Sequence, residues 1–248
     1  MRIGRVQVLG FMFGMFVCSI LLAFLRHGAD PDSAHPRLKV VYLVLSDVTP
    51  QAEFSEGARR SMVAAQRWYF DELKSGVTFA LADPVVEPVR TRHPEGWYSL
   101  AGRGRDREAL WRTAMEEAFA MTGGAYYDSR YIWVCFLDAD LPEIPPQGGG
   151  GVALLLRQDI LNQVGLQPSC LTMGAIAHEL GHAFGLPHPP DCDSHKKSDG
   201  EPECASISYL GSYHFPYARF QPEEREQLLR NPAFIQIEPE AARVECSR

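Results

Sequence analysis

The sequence predicts an α/β domain: a mixed, mostly parallel sheet of about four to five strands flanked by long helices. Two observations carry this. Runs 38–45 (LKVVYLVL) and 131–137 (YIWVCFL) are rich in β-branched and aromatic residues and read as buried strands. Between them, residues 52–75 and 106–122 place apolar side chains at 3/4 spacing, the period of a helix with one buried face. A hydrophobic content of 46% supports a sizeable core, and 248 residues suit one domain plus a short extra segment. The net charge of −7 argues against nucleic acid as the main partner.

In chain order, Arg2 and Arg5 precede residues 6–25, an apolar run without Asp, Glu, Lys or Arg. It is long enough to span a bilayer, and no small-residue cleavage site follows Leu25. Residues 1–26 are therefore expected to be a transmembrane anchor, with a cleaved signal peptide as the alternative. Either exports the remainder, giving a membrane-anchored extracytoplasmic domain or a secreted one. Residues 27–37 read as a linker and 38–248 as the folded domain.

The helix over 52–75 has Phe54, Met62, Ala65, Tyr69 and Leu73 near 3/4 spacing, and Gly76 closes it. Residues 77–81 predict a second strand, and 85–91 a third, weakened by Pro88. The helix over 106–122 turns Ala109, Leu110, Ala114, Ala118 and Met121 inward, and Gly123-Gly124 stops it. Asp138 and Asp140 read as loop carboxylates, because one D-x-D is far short of the six to eight oxygens of a calcium site. Residues 142–151 form a Gly/Pro-rich loop before the apolar run 152–156, and 222–230 is a short helix with proline in its first turn.

The chemistry concentrates in His178-Glu179-Leu180-Gly181-His182-Ala183-Phe184-Gly185-Leu186-Pro187-His188. On a helix, residues i and i+4 lie one above the other, so His178 and His182 can grip one ion. Glu179, rotated about 100°, reaches a metal-bound water rather than the metal, which suits a general base. Gly185 lets the chain leave the helix, and His188 returns as a third ligand. Met173, Ile176, Ala177, Leu180 and Phe184 form the core stripe, and the two histidines point away from it.

This H-E-x-x-H-x-x-G-x-x-H motif resembles the metzincin clan of zinc metalloproteases. The resemblance implies a zincin-like fold with the active-site helix below a cleft, and one catalytic Zn²⁺ on His178, His182 and His188. It implies Glu179 as base and acid in peptide-bond hydrolysis, and a protein or peptide as substrate. Ser206–Gly211 (SISYLG) matches the flanks of the clan's Met-turn, but Ser208 stands where the methionine belongs and Leu210 where some families carry a tyrosine ligand. The resemblance also implies a substrate-binding sheet edge before the zinc helix, over Gly150, Gly151, Val152, Ala153, Leu154 and Leu155.

Six cysteines are present. Cys18 lies in the apolar run, and mid-strand Cys135 reads as a buried thiol. Cys170, Cys192, Cys204 and Cys246 form an even set in an exported domain and allow three pairings, of which Cys192–Cys204 with Cys170–Cys246 is favoured. The expected protein is a monomeric zinc endopeptidase. The alternatives are a non-proteolytic zinc-binding module or pseudoenzyme, and a zinc amidase acting on a cell-wall peptide.

Overall fold

The computed structural model describes residues 34–101, 106–164, 169–192, 204–240 and 246–247. Residues 35–248 form one compact unit. Its six described strands are β1 (Arg37–Val44), β2 (Val77–Arg90), β3 (Tyr131–Leu137), β4 (Gln147–Gly149), β5 (Val152–Leu156) and β6 (Phe234–Gln236). The described helices are α1 (Ala52–Leu73), α2 (Glu95–Ala101), α3 (Arg107–Thr122), α4 (Arg157–Leu161), α5 (Cys170–Ala183), α6 (Ile207–His214) and α7 (Pro222–Arg230).

The sheet order is β4-β5-β3-β1-β2-β6. The inner pairings β1–β2, β1–β3 and β3–β5 are parallel, whereas β4 and β6 close the two edges antiparallel. The sheet thus has more strands than the four to five expected and two antiparallel edges. The additions are three-residue strands, too short to produce a periodic signal. The strands expected over 77–81 and 85–91 are one strand, β2, whose register against β1 shifts between Leu38 and Val40. Pro88 is tolerated because β6 covers only Val77–Phe79, so the outer side of β2 is unpaired there.

Helices cover both faces, and the period-2 alternation of the inner strands shows it. Leu38, Val40, Tyr42, Val44, Val134 and Phe136 pack with α1 and α5, including Met62, Tyr69, Met173 and Leu180. Val41, Leu43, Leu45, Trp133, Cys135 and Leu137 face the other way, against Tyr98 of α2 and Leu110, Ala114 and Met115 of α3. Both faces being buried accounts for the continuous apolar runs of β1 and β3. Met121, expected to point inward, is 39% exposed at the end of α3, one turn beyond the packed residues.

Asp138 is fully buried after β3 and accepts from Tyr42 Oη (2.7 Å) and Arg157 Nε (2.7 Å). That engagement makes it a structural carboxylate. Cys170–Cys246 and Cys192–Cys204 are disulfides, with Cα separations of 5.0 and 5.2 Å, and Cys135 is buried and free. Two disulfides fit an oxidising, extracytoplasmic compartment. The transmembrane expectation is corrected: among the described residues no helix is long and apolar enough to cross a membrane. The run 6–25 and most of the linker 27–37 lie outside the described residues.

Candidate metal centre and cleft

Helix α5 starts at Ser169, whose hydroxyl accepts from Thr172 N (3.5 Å), and the Cys170–Cys246 disulfide ties down its first turn. Met173, Ile176, Ala177, Leu180 and Phe184 are all buried in the core. This packing fixes the rotation of the helix and turns His178 and His182 to the other side. Gly185 adopts φ +95°, a conformation that only glycine takes without strain, and the chain turns back over the helix end. Leu186 N then donates to Gly181 O (2.9 Å), and His188 comes beside the pair.

The ligating nitrogens of His178, His182 and His188 all lie within 4.8 Å of one another. The first two are locked from behind. His178 Nδ1 donates to Ile207 O (2.7 Å), and His182 Nδ1 donates to Leu186 O (2.7 Å). A carbonyl can only accept, so both protons sit on Nδ1 and both Nε2 atoms carry lone pairs. Those two Nε2 atoms are 2.9 Å apart. Lone pairs at that distance repel unless a cation lies between them, and two zinc-bound imidazoles stand about 3–3.5 Å apart. Burial lowers the His178 pKa to about 4, with His182 adding to the effect, and lowers that of His182 as well. Neutral, pre-oriented imidazoles are the form that binds metal, so the donor set fits a zinc ion.

Glu179 is buried, with Oε1 4.0 Å from His178 Nε2. Burial pushes its pKa up to about 8; the negative charge of Asp159 adds to this and Arg107 opposes it. The cleft above the histidines is about 570 Å³. Its floor is His178, Glu179, His182 and His188; one wall is Pro146, Gln147 and Gly148; the other is Arg107, Glu108 and Trp111 of α3. The α3 wall and β4 were not singled out by the sequence. Helical phase gave no hint, because positions 107 and 111 continue the apolar stripe of Ala114 and Ala118.

The expected substrate edge is corrected by the topology. Val152, Ala153, Leu154 and Leu155 belong to β5, which lies between β3 and β4 and is buried throughout. Gly150 and Gly151 form the turn before it, both at positive φ. The outer strand is β4, and its Gln147 and Gly148 line the cleft.

Ser206–Gly211 begins as a capped helix rather than a tight turn. Ser206 Oγ accepts from Ser208 N (3.1 Å), and the only non-helical residue inside is Leu210. Ser206 Oγ donates to buried Glu224 (2.8 Å), which fixes the carbonyl-bearing turn that holds His178. Ser208 is fully buried; its Oγ lies 3.4 Å from where a Cβ on Gly181 would stand, and it has no hydrogen-bond partner among the described residues. By residue type, Asp191, Asp193 and His195 are possible substitutes for His188 as ligand, though His188 keeps the expected spacing; Asp193 and His195 lie outside the described residues.

No protein-family model matches the chain, and no curated protein matches it. Its fold is similar to that of OgpA from Akkermansia muciniphila. Two wild-type crystal forms align with TM-scores of 0.51 and 0.56 at 17% and 19% identity, covering 77% and 83% of this chain. A catalytically inactive OgpA in complex with an O-glycopeptide (glycodrosocin) substrate aligns at 0.52 and 18% identity, covering 77%. The match spans 59–63% of the OgpA chains. At this identity the likeness shows a shared fold.

Proposed function

We propose that this chain is a zinc-dependent endopeptidase of metzincin type, with His178, His182 and His188 holding one zinc ion and Glu179 acting as general base. The observation that carries this is the pair of Nε2 lone pairs 2.9 Å apart, each fixed by an Nδ1–H bond to a backbone carbonyl. The fold shared with a protein solved on an O-glycopeptide supports a peptide or glycopeptide as substrate.

Bound zinc supplies Lewis acidity, polarising the scissile carbonyl and acidifying an attacking water. Glu179, one residue from His178 and facing the cleft, takes the proton of that water and returns it to the leaving amine. The buried carboxyl prefers its neutral form alone, and a cation held by the three histidines would shift it toward the ionised base. Ile207 O and Leu186 O fix the orientation of His178 and His182, so these two imidazoles would need little reorganisation on metal binding.

The test combines metal analysis with a peptide and glycopeptide library. The wild-type protein should bind one zinc per chain and cleave internal peptide bonds. Glu179→Gln should keep the zinc and lose turnover by about 10²–10⁴-fold. Full activity in that variant rejects Glu179 as the base. A zinc-loaded protein that cleaves nothing in the library rejects the peptidase reading.

A further inference from the structure

The peptidase reading leaves one wall of the cleft without a role. Arg107, Glu108 and Trp111 come from the first turns of α3, and nothing in the proposed chemistry uses them. Asp106 caps the helix, accepting from Ala109 N (3.0 Å), and this fixes where residue 107 emerges. The body of α3 is fixed too, because Leu110, Ala114 and Met115 are fully buried against the sheet. Trp111 is half-buried and stacks near-parallel on Tyr126, with ring centroids 6.3 Å apart at 23°. It is therefore an oriented surface rather than a free side chain.

The charges on this wall are unequal in their commitments. Glu108 faces Arg112 one turn on, at 3.9 Å and exposed. The Arg107 guanidinium makes no salt bridge or hydrogen bond among the described residues. Residues 107 and 111 are i and i+4 on one helix face, so the cation and the indole are adjacent. A fixed aromatic surface beside an uncommitted guanidinium matches a ligand group with a short apolar stem and a carboxylate head. Arg presents a planar fork of donors that carboxylates accept in pairs.

We propose that Arg107, with Trp111 beneath the stem, is the specificity-determining residue of the cleft and selects peptides that place a carboxylate against α3. This rests on the peptidase reading. The carboxylate has two possible sources in a peptide: a Glu or Asp side chain near the scissile bond, or the free chain end. The side-chain source is favoured because the proposed endopeptidase cleaves internal bonds, away from the chain end.

The test uses zinc-loaded full-length protein and internally quenched peptides with blocked ends, identical except for Glu, Gln or Lys at one scanned position. A fourth peptide carries Gln there and a free C-terminus. At one position next to the cleaved bond, kcat/KM for Glu should exceed that for Gln by roughly tenfold, and Lys should be poorest. Arg107→Lys should retain the preference, Arg107→Ala should bring the Glu/Gln ratio to about one, and Arg107→Glu should favour Lys. A purely structural role for Arg107 would lower all peptides together and leave the ratios unmoved. If the free C-terminus, not Glu, gives the Arg107-dependent gain, the side-chain assignment is overturned. Cleavage of all peptides at equal rates overturns the proposal and leaves the peptidase reading standing. Cleavage of none removes the peptidase reading, and the proposal with it.

Discussion

Gly148 of β4 and Glu179 of α5 meet backbone to backbone: a Cβ on Gly148 would stand 2.1 Å from the Glu179 carbonyl oxygen and 2.9 Å from His182 Cβ. The edge of the sheet is thereby pressed directly onto the helix that carries His178 and His182. No side chain can be interposed there, and the atoms it would strike belong to a helix backbone that cannot give way.

Gly148→Ala therefore moves either β4 or α5. The expected cost is about 1–3 kcal/mol in stability from overpacking, with a larger relative loss of zinc affinity, because His182 lies in the displaced turn. Thermal unfolding and a competitive zinc titration measure both. Wild-type values in each would show that the two backbones are not in contact.

The disulfide Cys192–Cys204 spans 12 residues and starts four positions after His188. Cys204 lies two residues before Ser206, the cap of the helix whose Ile207 carbonyl holds His178. The bond thus joins the segment after His188 to the segment behind His178. Replacing both cysteines by serine should cost roughly 3 kcal/mol by loop-entropy reasoning and weaken zinc binding by faster release from His188. Stopped-flow zinc release to a chelator reads the second effect separately from unfolding. Release at the wild-type rate would uncouple the disulfide from the site.

Local signals and their absence explain how much of this was legible. The converging histidines, the proposed base Glu179 and the core stripe Met173, Ile176, Ala177, Leu180 and Phe184 lie within sixteen residues, and helical phase relates them without any tertiary knowledge. The acceptors behind the histidines were invisible, since Ile207 and Leu186 contribute backbone carbonyls that any residue could supply. The misplaced edge has a specific cause. The five apolar residues of β5 are a central-strand pattern, but the strand outside it is only Gln147–Gly149, too short and glycine-rich to register. Arg107 and Trp111 could not be placed on the cleft because the face of α3 that borders it depends on the order of strands in the sheet.

Asp159 gives a pH prediction. Its carboxyl is pushed up to about 6 by burial, from an ordinary 3.8, although Leu156 N donates to Oδ2 (2.8 Å). A carboxyl whose folded pKa is raised favours the fold in its neutral form. The associated stability is fully present below about pH 3.8 and is lost as pH rises toward 6. Above pH 6 the charge costs on the order of 3 kcal/mol. Asp159→Asn keeps an acceptor for Leu156 N and has no charge to bury. It should be more stable than wild type at pH 7, with the advantage shrinking as pH falls to 4. Urea denaturation of both proteins at the two pH values decides it; a pH-independent difference refutes the burial argument.

Ser208 offers the last test. Its hydroxyl is wholly buried beside α5 and, among the described residues, has no partner. An unsatisfied buried hydroxyl costs about 1–3 kcal/mol. Ser208→Ala removes the polar atom and little volume, so it should raise the unfolding free energy while leaving zinc affinity unchanged, because His178 is held by the Ile207 carbonyl and not by position 208. Ser208→Met restores the residue type expected from the resemblance, but the surroundings are tight. The space beside Gly181 admits one methyl group, with Ser208 Oγ at 3.4 Å, Leu186 Cδ1 at 3.5 Å and Tyr69 Oη at 3.6 Å from its centre. Methionine needs more than that and should destabilise by about 1–3 kcal/mol through overpacking, spreading α5 and α6 and weakening zinc binding. The two variants therefore move stability in opposite directions. If both stabilise, a larger void lies beneath the metal helix. If alanine destabilises, the Ser208 hydroxyl has a partner, and an ordered water between it and Tyr69 Oη is the group to seek.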